Sequence, residues 1–354
     1  MIKLLDLYIG RSIASATFFS VFTLTALSGL IRFVEQLRYV GRNDYGMSEA
    51  ALFVVFSVAR DIEIYFPMGA LLGGLLGLGA LASNSELIVM QAAGMSKLQI
   101  VKSAMKTTML MVAIVVVIGQ WIAPQLEIKA ETVRDNALYG QQTSLKPQAM
   151  WLKDGTSFVH VADANDSNEL QGVTVYEFSP QLHLSKVIYA ELAKYQNDQW
   201  QMQNVRLTEL DNSQIKLTEL AERSWQTPIS PDKLTVVNAT PEAWSLADLA
   251  DYLDYLNNNE QDDSRYQLAY WRKLFQPVTV AVMMLVALSF IFGPLRSTSM
   301  GARILLGVIT GFGFFITNRI FGPVVLVFDI SPIIGALAPS LVFTTIAIYY
   351  LKKH

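Results

Sequence analysis

Ile64-Tyr-Phe-Pro-Met-Gly-Ala-Leu-Leu-Gly-Gly-Leu-Leu-Gly-Leu-Gly-Ala-Leu-Ala-Ser-Asn84 contains neither an acid nor a base. A bilayer core about 30 Å thick is crossed by roughly 20 apolar residues in helix, so the stretch reads as a membrane span. Gly69, Gly73 and Gly77 recur every four residues and share one helix face. Small residues there let another helix approach closely, either a neighbour in the same chain or a partner subunit. Similar runs lie outward on both sides. Ser12–Ile31 and Thr107–Leu126 flank this one, while Leu274–Leu295 and Ile330–Leu351 come much later. Ile304–Asn318 is short but continues past Arg319 as Ile320–Phe328, which reads as one span interrupted by a single charge. The expectation is six spans, three on each side of an insertion.

Composition agrees. Of 354 residues, 52% are hydrophobic and only 16% charged, where soluble domains carry about a quarter. Residues 127–270 hold 22 Asp and Glu against 11 Lys and Arg, and the remainder holds 8 against 16. An acidic soluble piece is therefore set into a basic, apolar one. This divides the chain into a membrane half over 1–126, an inserted domain with a connecting helix over 127–270, and a second membrane half over 271–354. The absence of cysteine excludes disulfides, thiolate metal sites and a cysteine nucleophile.

Lys and Arg in short connections set orientation. With the N-terminus inside, the inner loops hold Lys3, Arg11, Lys97, Lys102, Lys106, Arg296, Arg303, Lys352 and Lys353; the outer ones hold Arg38 and Arg42. Both termini are thus expected in the cytoplasm and residues 127–270 outside. The first apolar run is longer than the 7–15 residues of a signal-peptide core, so it reads as a retained helix.

The insertion looks β-rich. Ser157–Ala162, Val173–Phe178, Trp200–Leu207 and Leu234–Val237 are short strand-like runs separated by turn signals such as Asp154-Gly155. They predict an antiparallel sandwich or jelly roll, closed by a helix that Ser245 and Asp248 cap. His160 and His183 belong to no ligand cluster. There is no phosphate-binding loop, nucleophile elbow or zinc motif, so neither a catalytic residue nor a metal site is expected.

Several stretches together resemble the lipopolysaccharide export permeases, the LptF/LptG family. These are Ser83–Lys97, which is similar to the family's cytoplasmic coupling helix, Leu4–Gly10, Lys273-Leu-Phe-Gln-Pro277 and Leu288–Ser297. The last, with Trp151-Leu-Lys-Asp-Gly155, looks closer to the LptG branch than to LptF. The resemblance implies an α-helical membrane protein with six transmembrane helices and a periplasmic jelly roll in the inner membrane of a Gram-negative bacterium. It also implies the membrane half of an ABC transporter, paired with LptF above an LptB ATPase dimer. Lipopolysaccharide would pass on to LptC and LptA, with ATP used by the partner and no cofactor on this chain. A six-span scaffold or sensor, or a secondary transporter, is the alternative that the residues alone leave open.

Two candidate sites follow. The coupling set is Glu86, Leu87, Met90 and Gly94. The head-group set gathers Arg32, Glu35, Arg38, Arg60, Arg134 and Arg319 near the outer interface, since a guanidinium can hold a phosphate with two parallel hydrogen bonds. Tyr65 and Phe66 are the candidate acyl-chain wall. Glu35, Asp61 and Glu63 lie near enough in sequence to turn some of these arginines into ordinary ion pairs. Tyr39 departs from a position that is often basic in the LptG branch.

Overall fold

The computed structural model describes residues 4–139, 150–166, 168–179, 181, 183–211, 214–227, 231, 240–292 and 299–353. Helices α1 (Leu4–Gln36) and α2 (Met47–Ser83) form an antiparallel pair, followed by the short α3 (Glu86–Ala92). Next come α4 (Lys97–Val117), a π turn (Ile118–Ile122) and α5 (Ala123–Tyr139), which together make one 43-residue helix. Pro124 follows the π turn and cannot donate to the carbonyl four residues back, so the ladder is already broken there. The apolar run ends at Leu126 but the helix does not. Glu127 and Arg134 therefore stand on α5, not in the sheet.

Among the described residues, five helices are long and apolar enough to cross a membrane. The expected fourth span, Leu274–Leu295, falls on α8 (Gln276–Phe292), which is too short to count alone. It follows α7 (Ser264–Leu274) after a 53° bend at Phe275, and the pair makes a sixth candidate if taken together. Helices α9 (Met300–Val327) and α10 (Pro332–Lys353) complete the set, and Arg319 lies within α9 as the interrupted run suggests. The last residues of Leu288–Ser297, past Phe292, lie outside the described residues.

The glycines explain why α2 is the central helix. A Cβ on Gly73 would collide with the backbone of Thr17, and one on Gly77 with that of Ser12 and Ile13. The glycine face is therefore spent on α1 of the same chain. The Ser12 hydroxyl uses the close approach to donate to the Gly77 carbonyl at 3.0 Å.

The insertion holds one antiparallel sheet: β1 (Met150–Asp154), β2 (Ser157–Asp166), β3 (Glu169–Phe178), β4 (Leu184–Gln196), β5 (Gln199–Asp211) and β6 (Gln214–Trp225). The strands follow one another in sequence order. This corrects the jelly-roll expectation in topology, because among the described residues each strand pairs with the next and none crosses over as a Greek key must. The turns are short enough to favour simple hairpins. The run Leu234–Val237 lies outside the described residues. One face is covered by α6 (Leu246–Asn258), whose Leu249, Tyr252 and Leu256 pack on Val159, Val175, Ile188 and Met202. Ser245 and Asp248 do close the start of α6 as a reciprocal capping box. The opposite face carries a stack of aromatic rings, Trp151 between His160 and Tyr176.

Candidate functional site

Beside the connector from the sheet, helices α2, α7, α8 and α9 leave a cavity of about 480 Å³. Arg32, Arg60, Arg272 and Arg319 reach its wall from four different helices, together with Tyr65, Met68, Phe314 and Phe315. The rings of Tyr65 and Phe315 stack at 5.7 Å. Cations and an apolar lining thus meet in one space.

Most of the cations are already engaged. A nitrogen of Arg32 lies 2.7 Å from the Asp61 carboxylate. Arg60 pairs with Glu127 of α5, and its other terminal nitrogen donates to the Thr240 hydroxyl at 3.1 Å. Arg272 donates to the Asn318 carbonyl, occupying the space that a side chain at Gly322 would fill. Among the described residues, Arg319 is the exposed wall cation without a carboxylate partner. Of the acids expected to pair with the arginines, Asp61 does so, whereas Glu63 takes Lys273 at 3.4 Å.

The other expected head-group residues stand elsewhere. Glu35, in the last turn of α1, and Arg38, in the turn that follows, are both exposed. Arg134 lies over the rings of Tyr39 and Phe53, at 5.2 and 5.7 Å, and pairs with Glu131. Phe66 turns away from Tyr65 into a cluster with Val21, Val112 and Val280. Consecutive helical residues point about 100° apart, so only one of the two aromatics can face the cavity.

Arg272, Lys273 and Gln276 were missed as site residues, although the stretch Lys273–Pro277 was singled out. Their significance depends on Pro67. Proline cannot donate to the carbonyl of residue 63, which is left over inside α2. Gln276 supplies the missing bond, donating its side-chain amide to that carbonyl at 2.9 Å, while Lys273 takes the carboxylate of the same residue. No local pattern reveals a contact between residues so far apart in sequence.

At the far end of α2 lies the segment expected to couple to an ATPase. Gly94 ends α3 at a φ of +94°, the left-handed conformation that favours glycine. Leu87 and Met90 are only 4% and 8% exposed and pack with Ile9, Leu78 and Ile100. They anchor the helix to its own chain. Its outward face consists of Ile88 and Val89, 54% and 65% exposed. The Glu86 carboxylate accepts from the Tyr8 hydroxyl at 2.8 Å. Arg303, which had been counted only as a loop base, is buried and donates to the Gly79 carbonyl at 2.6 Å and the Ser83 hydroxyl at 3.0 Å. It ties the first turn of α9 to the last turn of α2. Among the described residues, no group of three His, Asp or Glu side chains could hold a metal ion.

This arrangement occurs in a chain with close relatives. The family model for the lipopolysaccharide export system permease LptF/LptG matches residues 7–353. The lipopolysaccharide export system permease protein LptG of Escherichia coli strain K12 is 44% identical over 352 residues, 99% of this chain and 98% of its own length. The protein of the same name from Haemophilus influenzae strain Rd is 42% identical over 355 residues, 100% of this chain and 99% of its own. With the match running almost end to end, the chain belongs to the lipopolysaccharide export system permease LptF/LptG family.

Proposed function

We propose that this chain is the LptG-type permease subunit of a lipopolysaccharide exporter in the bacterial inner membrane. It spans the membrane six times, with the bent α7–α8 pair as the fourth span, both termini in the cytoplasm and the sheet in the periplasm. Paired with LptF, it takes lipopolysaccharide from the membrane and hands it to LptC and LptA along a periplasmic bridge. It carries no catalytic residue and binds no cofactor. An LptB dimer hydrolyses ATP and acts on α3, where Ile88 and Val89 offer the apolar contact and Glu86 the charge.

The observation that carries this reading is the cavity wall, where arginines converge next to stacked aromatic rings. A lipid that joins phosphates to acyl chains needs both at once. Arg319 offers a free guanidinium, and Arg32 and Arg60 can share theirs between Asp61 or Glu127 and a phosphate.

A photo-crosslinker at Tyr65 and charge reversal of Arg32, Arg60 and Arg319 test it in the assembled complex. Tyr65 should capture lipopolysaccharide, and the triple reversal should abolish both capture and lipid-stimulated ATP hydrolysis. Normal capture and export by the triple variant would make these arginines membrane anchors and move the site elsewhere.

A further inference from the structure

The sheet domain and the membrane helices meet at the connector over residues 240–246, which is fastened in three places. Arg60 of α2 donates to the Thr240 hydroxyl at 3.1 Å. Lys273 of α7 donates to the Trp244 carbonyl at 2.6 Å. The amide of Leu246 donates to the Gln120 side chain in the π turn at 2.8 Å. Every fastening falls on an irregular part of the membrane bundle or next to one.

The middle fastening differs from the other two. The Lys273 side chain is 6% exposed and its amine is held from two sides, by the Trp244 carbonyl and by the Glu63 carboxylate. Glu63 lies four residues before Pro67, where α2 has lost a backbone hydrogen bond. Its carboxylate fills the space that a Cβ on Gly119 would need, so the π turn is shaped around it. Gln276, one turn along from Lys273, holds the carbonyl of the same residue. Trp244 meanwhile belongs to the core under the sheet, with its ring 5.0 Å from Tyr252 in an edge contact. A displacement of α2 at Pro67 therefore has a short path of ionic and hydrogen-bonded contacts into the sheet domain, through one ammonium group. Interrupted helices held by side chains from neighbours are where backbone can shift without exposing unsatisfied groups to lipid.

We propose that Lys273 is a positioning residue of transport: it locks the sheet domain onto the proline-interrupted turn of α2, so that cargo loaded in the cavity is delivered to the sheet. The proposal rests on the permease reading above, and it assigns Lys273 to handover, with loading left to the arginines.

The test uses the assembled transporter in lipid nanodiscs with Lys273→Gln, Lys273→Arg and Glu63→Gln. Crosslinkers at Tyr65 report loading and crosslinkers at Tyr176 report delivery. Lys273→Gln should lower delivery roughly tenfold more than it lowers loading at Tyr65 or ATP hydrolysis, the scale of one charge-assisted contact. Glu63→Gln should behave alike, and Lys273→Arg should recover most of the delivery. Spin labels at Ser48 and Asp251 should give a broader distance distribution in Lys273→Gln without any lipid. That arm reads the joint even if nothing is captured at Tyr65, a result that would sink the permease reading alone. Unchanged delivery with an unchanged distribution overturns the proposal. So does an equal fall in loading, delivery and complex yield that arginine does not rescue, because that would make Lys273 a stability residue only.

Discussion

The middle of α2 and the turn that follows its last residue handle charge in opposite ways. In the middle, next to the connector from the sheet, carboxylates are withdrawn from solvent and matched to cations: Asp61 to Arg32, Glu63 to Lys273 and Glu127 to Arg60. After the last residue, Glu86 is held by a tyrosine hydroxyl and the Asn84 amide, beside exposed Ile88 and Val89. Buried ions need partners because desolvation is costly, and the pairs fix geometry more than they add stability. A carboxylate satisfied by neutral donors, next to an uncovered apolar face, is suited to a partner from outside. One region is therefore completed within the chain, and the other leaves an apolar face uncovered.

The comparison breaks most sharply at Glu63. Glu63→Ala would strand the ammonium of Lys273 in a site that is almost closed to water, and should cost about 3–5 kcal/mol. Asp61→Ala should cost less, because Arg32 is 24% exposed and can turn its head toward water. Thermal unfolding of the detergent-solubilised complex would rank the two. Equal losses, or none, would show that the outer pairs are as dispensable as surface ones.

How much of this was legible in the sequence depends on range. The apolar runs located the five long helices and α8, because length and absence of charge are local properties. Gly69, Gly73 and Gly77 predicted a close helix contact but not its identity. Strands β2, β3 and β5 showed as apolar alternation, whereas β6, with Lys216, Glu219, Glu222 and Arg223, was not recognised. It is an edge strand with most residues exposed on both faces, so no periodicity marks it. The arginines were read as one cluster because they share a depth in the membrane. Which of them face the same space depends on helix rotation and on partners over a hundred residues away. Leu87 and Met90 could have been recognised as inward: they are three residues apart on one helix face, and Ile88 and Val89 lie on the other side.

The next test addresses that outward face. Val89→Asp, and to a lesser degree Ile88→Asp, removes little packing within the chain, so folding should change by only about 0.5 kcal/mol. If the face is covered by the ATPase, association should weaken by about 2 kcal/mol, roughly thirtyfold. Co-purification at graded ATPase concentration measures it. Full association with either aspartate would leave the apolar face of α3 without a partner and remove the contrast between the two regions.

The smallest effect expected is at Tyr8. Its hydroxyl is exposed and donates to Glu86, a contact open to water and of little weight for stability. Tyr8→Phe should leave unfolding unchanged. The variant instead asks how Glu86 is prepared. If the hydroxyl orders the carboxylate for an incoming cation, association weakens slightly, within about twofold for an exposed contact of this kind. If the hydroxyl and the partner compete for the same oxygens, association strengthens by a similar factor. Glu86→Lys supplies the scale, since reversing the charge removes the attraction whichever role Tyr8 has. A Tyr8→Phe effect as large as that of Glu86→Lys would mean that the carboxylate has no direct partner, and that the turn after α2 is organised by α1 in the same way that the middle of α2 is organised by Lys273.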